Sequence, residues 1–303
     1  MRHMLRLLLP LVLCAVMAAP THAAAPRAVA SIRPLHFLLT AVMKGVGEPV
    51  LLISGHDDIH HLSLRPSQVK ALAEADVIFI VSFGLENYLL KAIGEVASRK
   101  PVAQMAMAPG VRRLPPRRLD PPGVSGEAPS GSDWHVWPDP ANAKAMARAM
   151  ATVLGRMDKK NAVTYLGNAE KLIAAIDAVE KRAEKQLAPL ASRPFMVVHD
   201  GGQYFESRFG LRPLAAVEPP GHARPGMARL RAVMKLAREH PGICLLSGPA
   251  RNRWADMLAR EAGVRVITRD ALGLTIDPSP EAYPRLLENL AASYVECLKG
   301  QGG

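Results

Sequence analysis

The chain has 303 residues, a formal charge of +11 and a hydrophobic content of 49%. That length is on the order of two domains, and the apolar share is ample for two cores, which excludes a disordered or low-complexity chain. The basic balance would suit nucleic acid or an anionic membrane, but the lysines and arginines are spread along the chain and the N-terminus reads as an export signal, so nucleic acid is not an expected partner.

Residues 1–25 carry Arg2 and Arg6, an apolar run from Leu7 to Ala19, and the small residues Ala23, Ala24 and Ala25. This is the three-part layout of a secretory signal peptide, with cleavage expected near Ala23 to Ala25 and a periplasmic mature protein. Cys14 lies inside the apolar run behind Leu13, not after a small residue, which argues against lipid attachment. No later segment is long and uncharged enough to span a bilayer. Cys244 and Cys297 remain after the leader is removed. An even pair in an oxidising compartment is either a bridge or two buried thiols, and neither cysteine is a good metal-ligand candidate in either state.

In chain order, residues 28–32 and 49–53 read as buried strands around an apolar-periodic helix from His36 to Lys44. Pro66 and Ser67 open a helix to about Ala75, and Val77 to Val81 is another continuous apolar strand. Residues 108–132 are rich in Pro, Gly, Ser and Arg and read as a mobile surface loop. A helix starts at Asp139 or Pro140, with Met146, Met150, Val153 and Leu154 on one face. A longer one runs from Asn161 to about Leu187, with Leu172, Ile176, Val179, Ala183 and Leu187 spaced by threes and fours. At 1.5 Å per residue it spans about 40 Å, enough to tie two lobes together. Strands at 195–198, 243–246 and 264–267, with helices between and after them, repeat the first half's grammar.

The expected fold class is therefore α/β, with two lobes, each a mainly parallel sheet flanked by helices. The divisions are a signal peptide over 1–25, an N-terminal lobe over 26–155, a linking helix over 156–190 and a C-terminal lobe over 191–303. A ligand would sit in the interlobe cleft, beyond the carboxyl ends of the strands.

Several candidate ligands fall in such loops. His60 and His61 lie in GHDDIHHLSLRPS, His135 in DWHVWPDPANA, His199 ends the strand FMVVHD and Asp270 ends VRVITRD. Taken singly, a histidine after a strand is an ordinary structural residue, and Asp270 could simply cap a turn. A local zinc motif such as HExxH is absent.

Taken together, HHLSLRPSQVKALAEADVIFIVSFGLENYL, DWHVWPDPANA, HDGGQYFESRFGL and RDALG, in this order, resemble the hallmark blocks of the zinc and manganese solute-binding proteins of ABC importers. The likeness spans nearly the whole mature chain and is nearest to the zinc branch. It implies two lobes joined by a long rigid helix, with the metal in the cleft between them. His60 matches the family's first ligand, which stands before SLRPS. His135 matches the histidine before W-x-D-P-x-N, His199 that of H-D-x-x-x-Y-F, and Asp270 the aspartate of D-P-L-G. His61 falls at a variable position and is left out, while His56 is read as a solvated loop residue. His36 and His222 receive no role.

In manganese-binding relatives the third position resembles a carboxylate, which suits a harder ion. With His199 there, three imidazoles plus a carboxylate or water make a four-coordinate, nitrogen-rich site suited to zinc. The resemblance further implies that Zn2+ is the transported ligand, that a membrane permease with its cytoplasmic ATPase is the partner, and that the protein is a monomer and not an enzyme. A secreted zinc hydrolase fits less well, because no glutamate accompanies the histidine motifs as a general base. A manganese or iron carrier of the same family is the nearer alternative.

Three features depart from the family. The segment 108–132 has no histidine where zinc-branch members often carry a His-rich acidic loop. The D-P-L-G block reads Asp270-Ala271-Leu272-Gly273. The strand that usually runs into Glu-Pro reads CLLSGP, with Gly248 before Pro249. The Cys244 and Cys297 pair does match a disulfide common in the zinc branch.

Overall fold

The computed structural model describes residues 25–55, 62–125 and 130–300. Its first half runs β1 (Ala28–Ala30), α1 (Arg33–Val42), β2 (Val50–Leu51), α2 (Pro66–Glu74), β3 (Val77–Ile80), α3 (Tyr88–Val96) and β4 (Val102–Gln104). Two helices follow, α4 (Pro140–Met157) and α5 (Ala162–Leu187). The second half runs β5 (Phe195–Val197), α6 (Gln203–Phe209), β6 (Ala215–Ala216), α7 (Met227–Glu239), β7 (Cys244–Ser247), α8 (Arg253–Ala262), β8 (Arg265–Thr268) and α9 (Ala282–Lys299).

The strands form two four-stranded sheets, ordered β2-β1-β3-β4 and β6-β5-β7-β8, and every pairing is parallel. Both sheets share one winding: the chain moves outward from its first strand, then returns to that strand's other side. The crevice at such a reversal is where open α/β sheets bind ligands.

Alternation along the strands explains how one sheet serves two cores. Val77 and Phe79 of β3 face a central core, whereas Ile78 and Ile80 face an outer one under α2 and α3. Phe195 and Val197 of β5 point to the same central core, and Met196 and Val198 to an outer core under α7 and α8. The central layer is α1, α4, α5 and α9. Asp139 caps α4 by accepting from Ala141 N at 3.0 Å, with Pro140 in the first turn. Along α5, Leu172, Ile176, Val179, Ala183 and Leu187 enter that core, and the helix packs along α4 and α9.

Some expectations shift. α1 starts at Arg33, not His36, because Pro34 fits the first turn as Pro66 does in α2. His36 is a buried residue of that helix, its Nε2 3.1 Å from Pro49 O, and burial lowers its pKa. β4, β6 and α3 lie where periodicity gave no signal: two of them have three residues or fewer, and the N-cap residue of α3, Asn87, makes no side-chain capping bond.

Residues 108–132 were expected as a mobile surface loop; their described part straps the two halves together. Arg112 N donates to Asn142 Oδ1 at 2.8 Å and Leu114 N to the Tyr204 hydroxyl at 2.8 Å. Ala216 N donates to Leu119 O at 2.8 Å, and Arg229 Nη1 lies 2.6 Å from Asp120 Oδ1. An extended Pro- and Arg-rich segment has no helix or sheet ladder to satisfy it, so side chains from both halves do so instead.

Cys244 of β7 and Cys297 of α9 form a disulfide, Cα–Cα 5.5 Å, which resolves the two alternatives in favour of the bridge. It closes a loop of 53 residues, for which chain entropy supplies about 4 kcal/mol. Replacing both cysteines by serine should lower unfolding stability by up to that amount, read from urea denaturation.

Glu86 sits fully buried at the carboxyl end of the first sheet, Oε2 accepting from Val81 N at 2.7 Å and Ser82 N at 3.1 Å. Burial pushes its pKa from 4.5 up to about 7. Between those values the folded state holds a proton that the unfolded state has released, so this group's contribution to stability falls as pH rises through the window. A Glu86→Gln variant should lack that slope, measured as the difference in Tm between parent and variant across the same pH range.

Candidate metal centre

His135 precedes α4 in a loop fixed at Asp133. Asp133 is buried; its N–H donates to Leu114 O at 2.9 Å and its carbonyl accepts from the Tyr204 hydroxyl at 2.6 Å. Asp133 Oδ1 in turn accepts from His135 N at 3.0 Å and lies 2.8 Å from His135 Nδ1. A carboxylate on Nδ1 fixes that nitrogen as the donor and turns the Nε2 lone pair outward, the usual outer support of a metal-binding imidazole. Asp133 is therefore a candidate orienting residue that the sequence reading missed, although it stands two residues before His135.

His199 follows β5 at the reversal of the second sheet. Its Nε2 lies 3.4 Å from His135 Nε2, with the ring centroids 5.2 Å apart and the planes at 61°. Two Zn–N bonds of 2.0–2.1 Å meeting at a tetrahedral angle span about 3.3–3.4 Å. Gly201 leaves the space for both rings: a Cβ there would stand 3.3 Å from His199 Cδ2 and 3.4 Å from His135 Cδ2.

Asp270 follows β8. Its Oδ2 accepts from Thr275 N at 3.2 Å, and its Oδ1 is buried without a hydrogen-bond partner. It lines a cavity of 310 Å³ with both histidines, Ser247, Asn252 and Glu218. A second cavity of 240 Å³ is also lined by both histidines, together with Arg117, Asp133, Trp134 and Asp200. Among the described residues, no three His, Cys, Asp or Glu side chains stand close enough together to hold a metal. His135 and His199 are thus brought together, Asp270 shares their cavity without joining a donor cluster, and His60 lies outside the described residues.

The chemistry of this pair can be set beside known proteins. The profile of a family described as "ZnuA: Zinc-uptake complex component A periplasmic" matches residues 28–297. The chain belongs to the ZnuA family. Among its relatives, the high-affinity zinc uptake system protein ZnuA of Brucella abortus is 30% identical, over 89% of this chain and 91% of the relative. The protein of that name from Yersinia pestis is 29% identical, over 94% and 95%. Similar solved structures include a crystal structure of ZnuA (TM-score 0.78, 21% identity, 90% of this chain and 99% of that one). FpvC of Pseudomonas aeruginosa in complex with Mn2+ is similar too (TM-score 0.77, 18%, 92% and 100%). These structures share the two-sheet fold found here.

Two further features of this ZnuA-family chain surround the histidines. The β5–β6 register continues past the strands, with Val217 N on Val197 O and Glu218 N on Val198 O, both at 2.9 Å. Glu218 therefore stands beside His199 and adds a second carboxylate, with Asp270, to the wall of the cavity that Gly248 also lines. That placement depends on strand register and gives no signal in the sequence.

Beneath His199 lies a buried ionic network. Glu206 is fully buried and accepts from the Tyr294 hydroxyl at 2.6 Å, from Arg269 Nη1 at 3.4 Å and from Arg117 Nη2. Arg269 Nη2 donates to the His199 carbonyl at 3.1 Å, fixing the backbone of the site. Burial alone would lower the Arg117 pKa, but the charges of Glu206 and Asp200 outweigh it and raise it. Only glycine fits at 202, where a Cβ would fall 2.3 Å from Arg269 Nη1 and 2.5 Å from both Glu206 Oε1 and the Tyr294 oxygen. Gly202→Ala should destabilise the fold by about 1–3 kcal/mol, the range for overpacking, and disturb His199, seen by chemical denaturation and by the His199 ring signals in NMR.

Proposed function

We propose that this protein is the periplasmic zinc-binding component of an ABC importer and that His60, His135 and His199, with Asp270 or a water as fourth donor, hold the ion. The observation that carries the reading is the pair of imidazole nitrogens, one from each half of the chain, 3.4 Å apart. Family membership supports zinc as the cargo, and an all-imidazole core favours it over manganese by ligand softness.

In this reading residues 1–25 are removed on export, and residues 26–155 and 191–303 act as lobes about the link at 156–190. The monomeric protein binds Zn2+ in the cleft, docks on the membrane permease and yields the ion there, driven by a separate cytoplasmic ATPase. Binding is the activity. Asp133 orients His135 throughout, and the buried Glu206–Arg269 pair keeps the His199 backbone in register with it.

The test is equilibrium binding of zinc and of manganese to the metal-stripped mature protein. Zinc should win, and His199→Ala should weaken it by about a hundredfold or more, while Asp133→Asn costs roughly ten- to a hundredfold through the outer partner. Asp270→Ala separates a carboxylate ligand, whose loss weakens binding, from a water, whose site it leaves unchanged. Because imidazole binds only when neutral, zinc affinity should fall as pH drops through the histidine range near 6.5. Manganese preference, or zinc affinity indifferent to His199, would overturn the reading.

A further inference from the structure

The strap carries one group that the family reading does not use. Arg117 extends from it across the cleft to Asp200, the residue next to His199. Its Nε lies 3.0 Å from Asp200 Oδ2 and its Nη2 2.6 Å from Asp200 Oδ1, so one guanidinium engages both carboxylate oxygens. The same Nη2 reaches the buried Glu206. Both Arg117 and Asp200 side chains are 22% exposed, and both line the cavity that His135 and His199 share.

Asp200 is thus a carboxylate on the wall of the histidine cavity with its oxygens already taken. Arg269, a second cation near Asp200, directs its terminal nitrogens to Glu206, Tyr294 and the His199 carbonyl and hydrogen-bonds to neither Asp200 oxygen. The four charges balance in pairs, two arginines against two acids. Removing Arg117 would leave the cavity wall with one uncompensated negative charge beside two imidazoles. Such a mixed oxygen and nitrogen set suits harder divalent ions better than a set of imidazoles does.

We propose that Arg117 is a specificity-determining residue: by occupying both oxygens of Asp200 it keeps that carboxylate out of the metal's coordination shell and so disfavours manganese relative to zinc. The proposal rests on His135 and His199 being ligands. A clamp that merely joined the two halves would, when cut, weaken all metals alike, whereas a guard on Asp200 alters the ratio between them.

The experiment measures zinc and manganese affinities separately, by competition with a metallochromic chelator, on the full mature chain. It compares the parent with Arg117→Met, the double variant Arg117→Met/Asp200→Asn, and His199→Ala, with the metal-free Tm of each as a check on folding. Arg117→Met should lower the zinc-to-manganese affinity ratio by about tenfold or more, the size of effect that outer partners of ligands produce, chiefly through tighter manganese binding. Adding Asp200→Asn should restore the ratio. Parallel weakening of both metals, an unchanged ratio, or no restoration by Asp200→Asn would overturn the proposal. If Arg117→Met does not fold, Arg117→Lys replaces it, since an ammonium cannot engage both oxygens in the planar fork; a smaller shift in the same direction is then expected and an unchanged ratio overturns the idea. Zinc binding that survives His199→Ala would instead defeat the site reading beneath the proposal.

Discussion

Two separate sheets are held in one frame by a single apolar layer, and the positions of His135, His199 and Asp270 depend on it. The layer takes Phe37 and Leu38 from α1, Met146 and Met150 from α4, Leu172 and Ile176 from α5, and Leu287 and Leu290 from α9, together with the inward residues of both sheets. Each large side chain withdrawn from water contributes about 1.5–3 kcal/mol, so parting the halves along this layer would be far more costly than a hinge in a polar linker. Polar ties run the same way: Trp137 Nε1 donates to Ala271 O at 2.9 Å, Arg33 Nε to Gly273 O at 3.0 Å, and the Tyr283 hydroxyl to Trp137 O. His135 and His199, far apart in the chain, are fixed as neighbours because the elements that carry them share this frame.

Charge is arranged around the pair with equal economy. Glu206, wholly buried, would be costly if unpaired, but it faces Arg117, Arg269 and the Tyr294 hydroxyl. Buried ions persist when every one has a partner, and truncating a single member is then strongly destabilising. The network spans the strap, α6, the end of β8 and α9, so it also couples the His199 backbone to the C-terminal helix that the disulfide pins to β7.

Legibility in the sequence followed physical strength. Continuous apolar runs such as Val77 to Val81 and the spacing of Leu172, Ile176, Val179 and Ala183 were readable because burial on two faces or on one stripe leaves a period in the chain. Strands as short as Ala215–Ala216 leave none, and their edge positions are decided by the neighbour they pair with. Pro- and Arg-rich composition at 108–132 carries no helix or strand periodicity, and it is silent on where Arg117 and Asp120 find partners. At the site, motif resemblance singled out His135, His199 and Asp270 as candidates, of which the structure brings the two histidines into contact. Asp133 and Glu218 were not, since a carboxylate two residues from a histidine, or one strand away, becomes meaningful only in three dimensions. His60 lies outside the described residues, and its assignment still rests on the resemblance.

One shared core holds two imidazoles from opposite halves at the spacing of a tetrahedral zinc ion. Diffraction from crystals of the zinc-loaded protein, collected at the zinc absorption edge, tests that arrangement most directly. A single anomalous peak is expected about 2.0–2.1 Å from the Nε2 atoms of both His135 and His199. A peak bound to neither histidine, or to only one of them, would contradict it.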